Sequence, residues 1–279
     1  MKPWNAVVLA LPEAEGSPMV SRIPTFLHPV AGRPLVWHTV SSLLVHPFPP
    51  EQVTVLTAPE LGADLFRDLP APVSTVEIES GEGGSRALDL PDSRLLVLHA
   101  SAGVERESLQ RLLEAEQGAW VGGRGGEAVA VLTSPDELLP LLEHEQPLVA
   151  ARSRLDEESR VRDASGVFRV RDRADLALAH RRIRDALVQS LMAAGVTFLL
   201  PETVIVDVDV RIGRDTVIYP GVTIEGQSTV GEETVIGPGC RIIDSWIGSG
   251  VELKGWNYIA HTSVRNRAIL EPYVRRGFD

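Results

Sequence analysis

The residues best suited to chemistry fall into two small groups. Gly81, Gly83 and Gly84 surround Glu82 in a glycine-rich turn. Backbone amides of such a turn can cradle a phosphate, but a lone glycine cluster more often only turns the chain, and here an acid sits inside it. Four acids form the second group. Glu13 and Glu15 lie in a loop after the first apolar run, where they could bind a cation or simply be solvated. Asp172 and Asp175 open the longest helical pattern, where they could hold a cation or cap the helix; negative charge at a helix N-terminus favours the cap. The histidines, His99 and His261 among them, show no metal-ligand spacing. Cys240 is the only cysteine, which excludes an internal disulfide and a cysteine metal cage. Arg181, Arg182 and Arg184 read as a solvated helix face, with pairing to acids of another subunit as the sharper alternative. Trp246, Trp256 and Tyr258 could form an aromatic binding face; filling an irregular stretch or a subunit contact is the favoured expectation.

The elements that must position these residues follow a clear rhythm. Residues 5–11 (NAVVLAL) are an apolar run, expected as a buried parallel strand. A loop over 12–29 follows, and then a helix from Pro34 to about Leu44. Strands are expected at 52–57, 73–78, 95–98 and 128–132. Helices are expected at 105–116, with Leu109, Leu112 and Leu113 on one face, and at 135–142. Alternating strands and helices argue for a parallel sheet with helices on both faces. Residues 146–167 lose apolar periodicity and read as a surface excursion. A long helix over 172–194 buries Leu176, Ile183, Leu187 and Leu191 and ends at Gly195.

The last third counts in sixes. Val206, Ile212, Ile218, Ile224, Val230, Ile236 and Ile242 recur at every sixth position, with a small or β-branched residue two places before each. That period is the signature of a hexapeptide β-helix, in which three hexads close one coil. In this register Cys240 is a small core residue. After Ile242 the phase slips. Ile247, Leu253 and Ile259 resume it, followed by Val264 and Ile269 at spacings of five, and a loop or insertion near Asp244–Trp246 would account for the slip. About four coils fit. The expected domains are 1–173 (α/β), 174–200 (linking helix) and 201–279 (β-helix).

Bulk properties narrow the function. The 279 residues carry 44% hydrophobic and 23% charged residues, ordinary for a globular chain of two domains. A net charge of −11 disfavours nucleic acid as a partner. No apolar run of membrane-spanning length and no signal-like N-terminus is visible, so a cytoplasmic protein with no membrane partner is expected.

Residues 23–36 (IPTFLHPVAGRPLV) resemble the L-P-K-x-L stretch of sugar-nucleotide pyrophosphorylases, and residues 5–19 lie where those proteins carry a strand followed by A-A-G-x-G-T-R-M. Residues 192–197 resemble the linking helix, and 215–226 the early coils, of the bifunctional N-acetylglucosamine-1-phosphate uridyltransferase/glucosamine-1-phosphate acetyltransferase family. The resemblance implies a nucleotidyltransferase-like α/β domain followed by a left-handed parallel β-helix. It also implies transfer of a nucleotidyl group to a sugar 1-phosphate, with magnesium as cofactor and a homotrimer formed through the β-helix. The substrate-binding positions it assigns are Ala10, Leu11, Gly16, Ser17, Gly81, Gly83, Gly84 and Ser101. His28 lies in the matching stretch and is expected to pack structurally.

The family's charged groups are largely missing. Pro18 stands at the loop arginine, an acid (Glu13 or Glu15) at the loop lysine, and Thr25 at the lysine of L-P-K. Ser101 stands at the magnesium-binding aspartate and Ala174 at the second ligand, an asparagine. A unit charge at about 5 Å from a phosphate is worth roughly 3 kcal/mol at an effective dielectric near 20, so these losses together predict a degenerate site. The expectation is therefore no catalytic residue, no metal ligand and no cofactor, with a role in binding or assembly around a nucleotide or nucleotide sugar. The alternative is an active nucleotidyltransferase of the UDP-N-acetylglucosamine class, with altered ligands and magnesium. No acetyltransferase site is expected, because the family builds it from later coils.

Overall fold

A computed structural model describes residues 3–12, 17–70, 73–78, 94–116, 118–122, 128–144, 146–161 and 166–277. The chain divides into two compact units. One comprises Met1–His28 and Pro34–Leu176; the other comprises Pro29–Arg33 and Ala177–Asp279.

Along the chain the elements run β1 (Trp4–Ala10), β2 (Pro29–Val30) and β3 (Arg33–Pro34), of which Pro29–Arg33 belongs to the second unit, then α1 (Leu35–Leu44), β4 (Val53–Thr57), β5 (Val73–Glu77) and β6 (Arg94–His99) in the first. They continue as β7 (Ala102–Val104), α2 (Arg106–Glu114), β8 (Trp120–Gly122), β9 (Ala128–Thr133), α3 (Pro135–Leu138), α4 (Pro147–Arg152) and β10 (Val167–Arg169), and α5 (Arg173–Ala193) leads into the second unit. The main sheet has the order β5-β4-β1-β6-β9-β8. Every residue of β1 is buried, which is why it reads as an unbroken apolar run. Val8 and Leu98 pack on one sheet face with Val36 and Leu112, and Val7 and Leu95 on the other with Leu138 and Leu148.

The strands β5, β4, β1 and β6 are parallel, as expected. β9 pairs antiparallel to β6 and to β8. The five residues between β8 and β9 cannot house the crossover of a dozen or more residues that a parallel pair needs. The surface excursion expected at 146–167 is corrected in part. Pro147–Arg152 is helical, and Leu148 and Ala151 are each 2% exposed within a core cluster. Its residues Pro147–Ala151 are apolar whether buried or, like Val149, exposed, so the short helix shows no alternation of apolar and polar positions to detect. The stripe of the long helix is shallower than expected: Leu176, Ile183, Leu187 and Leu191 are half-buried, while Asp175, Ala179 and Val188 are buried.

The second unit is a left-handed parallel β-helix of three faces. The first face stacks Thr197–Phe198, Val217–Ile218, Val235–Ile236, Glu252–Leu253 and Ile269–Leu270. The second stacks Ile205–Val206, Thr223–Glu225, Arg241–Ile243, Tyr258–Ala260 and Arg275–Arg276. The third stacks Arg211–Ile212, Thr229–Val230, Trp246–Ile247 and Ser263–Val264. Ile218, Ile224, Ile236, Ile242, Ile247, Leu253, Ile259 and Val264 line the interior at 0% exposure, and Cys240 joins them.

The phase slip has the opposite sign to the expected insertion. Val230 pairs with Ile247, and Ile242 with Ile259, each 17 residues apart, whereas Ile224 pairs with Ile242, 18 apart. One residue is lost where the second face turns into the third; Asp244 and His261 take left-handed φ of 41° and 47° there. The expected inward Ile269 is also corrected. It is 62% exposed, and Leu270 enters the core at 4%, paired with Leu253. Trp246 and Trp256 do not fill the coil either; they face outward at 46% and 58% exposure.

Pro29–Arg33 belongs to the β-helix unit. Val208 N donates to Ala31 O at 3.1 Å and Arg33 Nε to Asp209 Oδ2 at 2.7 Å. Gly32 is required twice over: its φ is +81°, and a Cβ would lie 2.7 Å from Asp207 Oδ2. Asp207 also accepts Gly226 N at 2.8 Å. Its carboxyl is held above the ordinary range, first by burial and then by the charges of Glu225, Asp209 and Asp244, against the opposing Gly226 hydrogen bond. A folded-state pKa above the unfolded one means that stability falls as pH rises through the interval between them. Asp207→Asn keeps an acceptor for Gly226 and removes the charge. The variant is expected to be more stable than the parent at pH 7, with the advantage shrinking as the buffer is taken below the unfolded Asp value of about 4. Urea titrations at both pH values check this, and an equal difference at both would rule it out.

Candidate functional site

In an open parallel sheet, ligands sit beyond the carboxyl ends of the strands, where the strand order reverses. The chain leaves β1 for β4 on one side and returns to β6 on the other, so that point lies around the ends of β4, β1 and β6. Thr57 is abreast of Ala10, and His99 is abreast of Leu9. Ala100 N donates to Leu9 O at 3.0 Å, which carries the pairing past the strand ends and brings Ala10 and Leu11 alongside Ala100 and Ser101. α1 fixes this segment from one side. The Thr39 hydroxyl lies 2.6 Å from Ala102 O and 2.9 Å from Ala100 O, and donates its proton there.

Ser101 is 4% exposed, and its carbonyl accepts Val170 N at 3.0 Å. That bond sets the approach to α5 beside the end of β6. Asp172 Oδ1 accepts Asp175 N at 2.8 Å, and Asp175 Oδ2 accepts Arg171 N at 3.2 Å. The Arg171 guanidinium adds a contact at 3.5 Å to the nearly buried Asp175 carboxylate. Both acids thus serve the start of the helix, as their spacing suggested.

Ala10 is fully buried and Leu11 half-buried at the sheet edge. Ser17 makes a local turn: its carbonyl accepts Val20 N at 3.1 Å and its hydroxyl Met19 N at 3.4 Å. The structure therefore brings Ala10, Leu11 and Ser101 together and places Ser17 in that turn. Gly16, Gly81, Gly83, Gly84, Glu13 and Glu15 lie outside the described residues. His28 is 7% exposed, and its Nε2 lies 3.0 Å from Ser21 Oγ, a packing role. Arg184 donates to Glu202 O at 2.7 Å and pairs with Asp185.

His99 is the residue that the sequence pattern did not single out. Burial, with the Arg169 charge adding to it, holds its pKa well below the ordinary value, so the ring is neutral. Its Nε2 is buried with no hydrogen-bond partner among the described residues. Thr57 Oγ1, at the end of β4, likewise has no partner among the described residues, and neither does Thr25 Oγ1. Buried polar atoms are normally paired, so each unpaired one marks a place where a ligand or water can repay the desolvation. The available signal was a polar residue ending the apolar run of β6 at the reversal point.

Among the described residues the edge offers a neutral imidazole near the Arg169 charge, hydroxyls and backbone groups. These described groups do not fit magnesium, which takes hard oxygens, usually with one or two carboxylates. Ser101 supplies a neutral hydroxyl, Ala174 a methyl group, and the Asp175 carboxylate is turned to Arg171. Among the described residues, no group of three His, Cys, Asp or Glu side chains is placed to hold a metal.

Residues 209–244 match the family model "Bacterial transferase hexapeptide (six repeats)". The chain is 41% identical over 106 residues to "Bifunctional protein GlmU" of Geobacillus sp. (strain WCH70), covering 38% of this chain and 23% of that protein. It is 34% identical over 154 residues to the protein of the same name from Carboxydothermus hydrogenoformans, covering 50% and 34%. The matches thus span 23% to 34% of these two curated relatives' own length. Among solved structures, a nucleotidyl transferase from Methanothermobacter thermautotroptrophicus aligns at TM-score 0.47 and 17% identity, over 68% of this chain and 100% of that one.

Proposed function

We propose, for what is a GlmU-like chain joining an α/β sheet to a hexapeptide β-helix, that the sheet edge binds a nucleotide or nucleotide sugar without catalysing nucleotidyl transfer. The observation that carries this reading is the donor set at the end of β6. Ser101 stands where a metal-binding carboxylate is needed, and the neighbouring Asp175 is committed to Arg171.

Phosphoryl transfer is almost entirely positioning and charge neutralisation. A neutral His99 contributes a hydrogen bond but no charge. Thr25, at the position of a family lysine, is wholly buried and equally neutral. A sugar or base, which needs hydrogen bonds and apolar contact, is served better by this edge than a triphosphate in reacting geometry. Assembly is the second part of the proposal: outward aliphatics such as Ile205, Val217 and Val235 supply apolar surface for a trimer of β-helices.

Calorimetry with UTP and with UDP-N-acetylglucosamine, each with and without magnesium, tests the first part. The expected result is binding of the nucleotide sugar at a Kd of about 1 mM or tighter, unchanged by magnesium and weakened by His99→Ala. Magnesium-dependent release of pyrophosphate from UTP and N-acetylglucosamine 1-phosphate would sink the reading, as would failure of both nucleotides to bind.

A further inference from the structure

A column of left-handed residues runs along the turn from the first face of the β-helix to the second. Gly221, Gly239, Trp256 and Tyr273 occupy it in successive coils, at φ of 71°, 64°, 54° and 64°. Backbone hydrogen bonds stack the turns: Gly239 N donates to Pro220 O at 3.1 Å, Trp256 N to Pro238 O at 2.8 Å and Tyr273 N to Gly255 O at 3.2 Å. Glycine takes this conformation freely; another L-residue is strained by about 1 kcal/mol or more. The last two coils accept that strain to present large aromatic rings, and the strain brings no burial in return. Trp256 is 58% exposed and Tyr273 74%.

The indole is nevertheless held. Its six-membered ring lies against Gly239, where an added Cβ would sit 2.5 Å from Trp256 Cε3. Behind the turn, the Asn257 side chain is 1% exposed; its Nδ2 donates to Glu271 O at 2.7 Å, and its Oδ1 accepts Gly255 N at 3.2 Å. Trp256 therefore rests one face on a glycine floor. Two residues back in the chain, Lys254 Nζ pairs with Glu271 Oε1 at 2.7 Å at the surface. That pair supplies a donor and an acceptor with no net charge.

A pyranose presents C–H bonds on one face and hydroxyls around its rim, the complement of a flat ring beside a neutral polar pair. We propose that Trp256 and Tyr273 form a stacking platform for a pyranose ring of a carbohydrate ligand, with the Lys254–Glu271 pair taking its hydroxyls. Other occupants fit less well. A net charge of −11 opposes a polyanion. A protein partner covers about 800 Å² per side, whereas two aromatics supply at most about 150–250 Å² each, with only Pro and Gly below them in the column. The platform lies wholly within the β-helix and does not depend on the proposal made for the sheet edge.

Ligand-observed saturation-transfer NMR of the full chain with glucose, galactose and N-acetylglucosamine tests it. At least one sugar is expected to bind saturably with a Kd of about 1–10 mM. Trp256→Phe is expected to retain binding, and Trp256→Gly to weaken it at least about tenfold. Trp256→Gly restores the residue of the first two coils and relieves the strain, so its melting temperature should be no lower than that of the parent, which separates lost binding from lost folding. Absence of saturable binding by all three sugars overturns the proposal. So does a fall in sedimentation coefficient on Trp256→Gly, which would make the column a contact between copies of the chain.

Discussion

Replacing Gly231 by alanine is expected to destabilise the β-helix by about 3 kcal/mol, the upper end of the usual cost of overpacking. Gly213, Gly231 and Gly248 follow the inward residue on the third face in successive coils, and none has a positive φ, so their backbone conformation does not demand glycine. The next coil does. A Cβ on Gly231 would lie 2.5 Å from Ser249 N and 2.7 Å from Gly248 C, and one on Gly213 2.6 Å from Glu232 N. Those atoms are backbone, fixed by ladder bonds such as Gly231 N to Ile247 O at 2.8 Å, and cannot swing aside. The fourth coil continues the column with Arg265, one residue after Val264, which pairs with Ile247. Arg265→Ala should therefore cost no more than about 0.5 kcal/mol. Urea unfolding followed by circular dichroism separates the two variants; equal midpoints would mean that the coils are not stacked as described.

Ile242→Ala is expected to cost about 2–5 kcal/mol. Ile242 is 0% exposed and stands between Ile224 below it and Ile259 above it. Removing its side chain opens a cavity that both neighbours line. A coil contacts only the coils beside it, so a gap in the third of four divides the stack rather than trimming its end. Ile269→Ala, an outward position of the first face, is the control. That side chain is 62% exposed and its loss should stay within about 0.5 kcal/mol. Comparable losses at the two positions would contradict the inward and outward assignment of the hexads.

These contrasts show why one half of the chain was more legible than the other. The inward position of each hexad that has a coil stacked beyond it is apolar, so the coil writes its own period into the sequence. The legibility ends where two aliphatics adjoin. Ile269 and Leu270 satisfy a spacing of five and of six equally, and only the pairing of Leu270 with Leu253 decides between them. The lost residue at Asp244–Ser245 looks the same as an insertion until the partners of Val230 and Ile242 are known. In the α/β unit the buried strands announced themselves by apolar runs, whereas α4 buries too few residues to show a period. At the edge of the sheet, Ala10, Leu11 and Ser101 could be placed from a resemblance. His99 could not, because a polar residue ending an apolar strand has the same appearance whether it caps the strand or faces a ligand.

The short segment at Pro29–Arg33 gives the chain an interleaved architecture. The β-helix body draws on Pro29–Arg33 as well as on Ala177–Asp279, and the larger segment of the other body, Pro34–Leu176, lies between them. Neither body can be inherited as a contiguous block. A recombination breakpoint anywhere between those limits strands Arg33 on one product and Asp209 on the other, so descent of the two halves as independent modules would first require that bond to be dispensable.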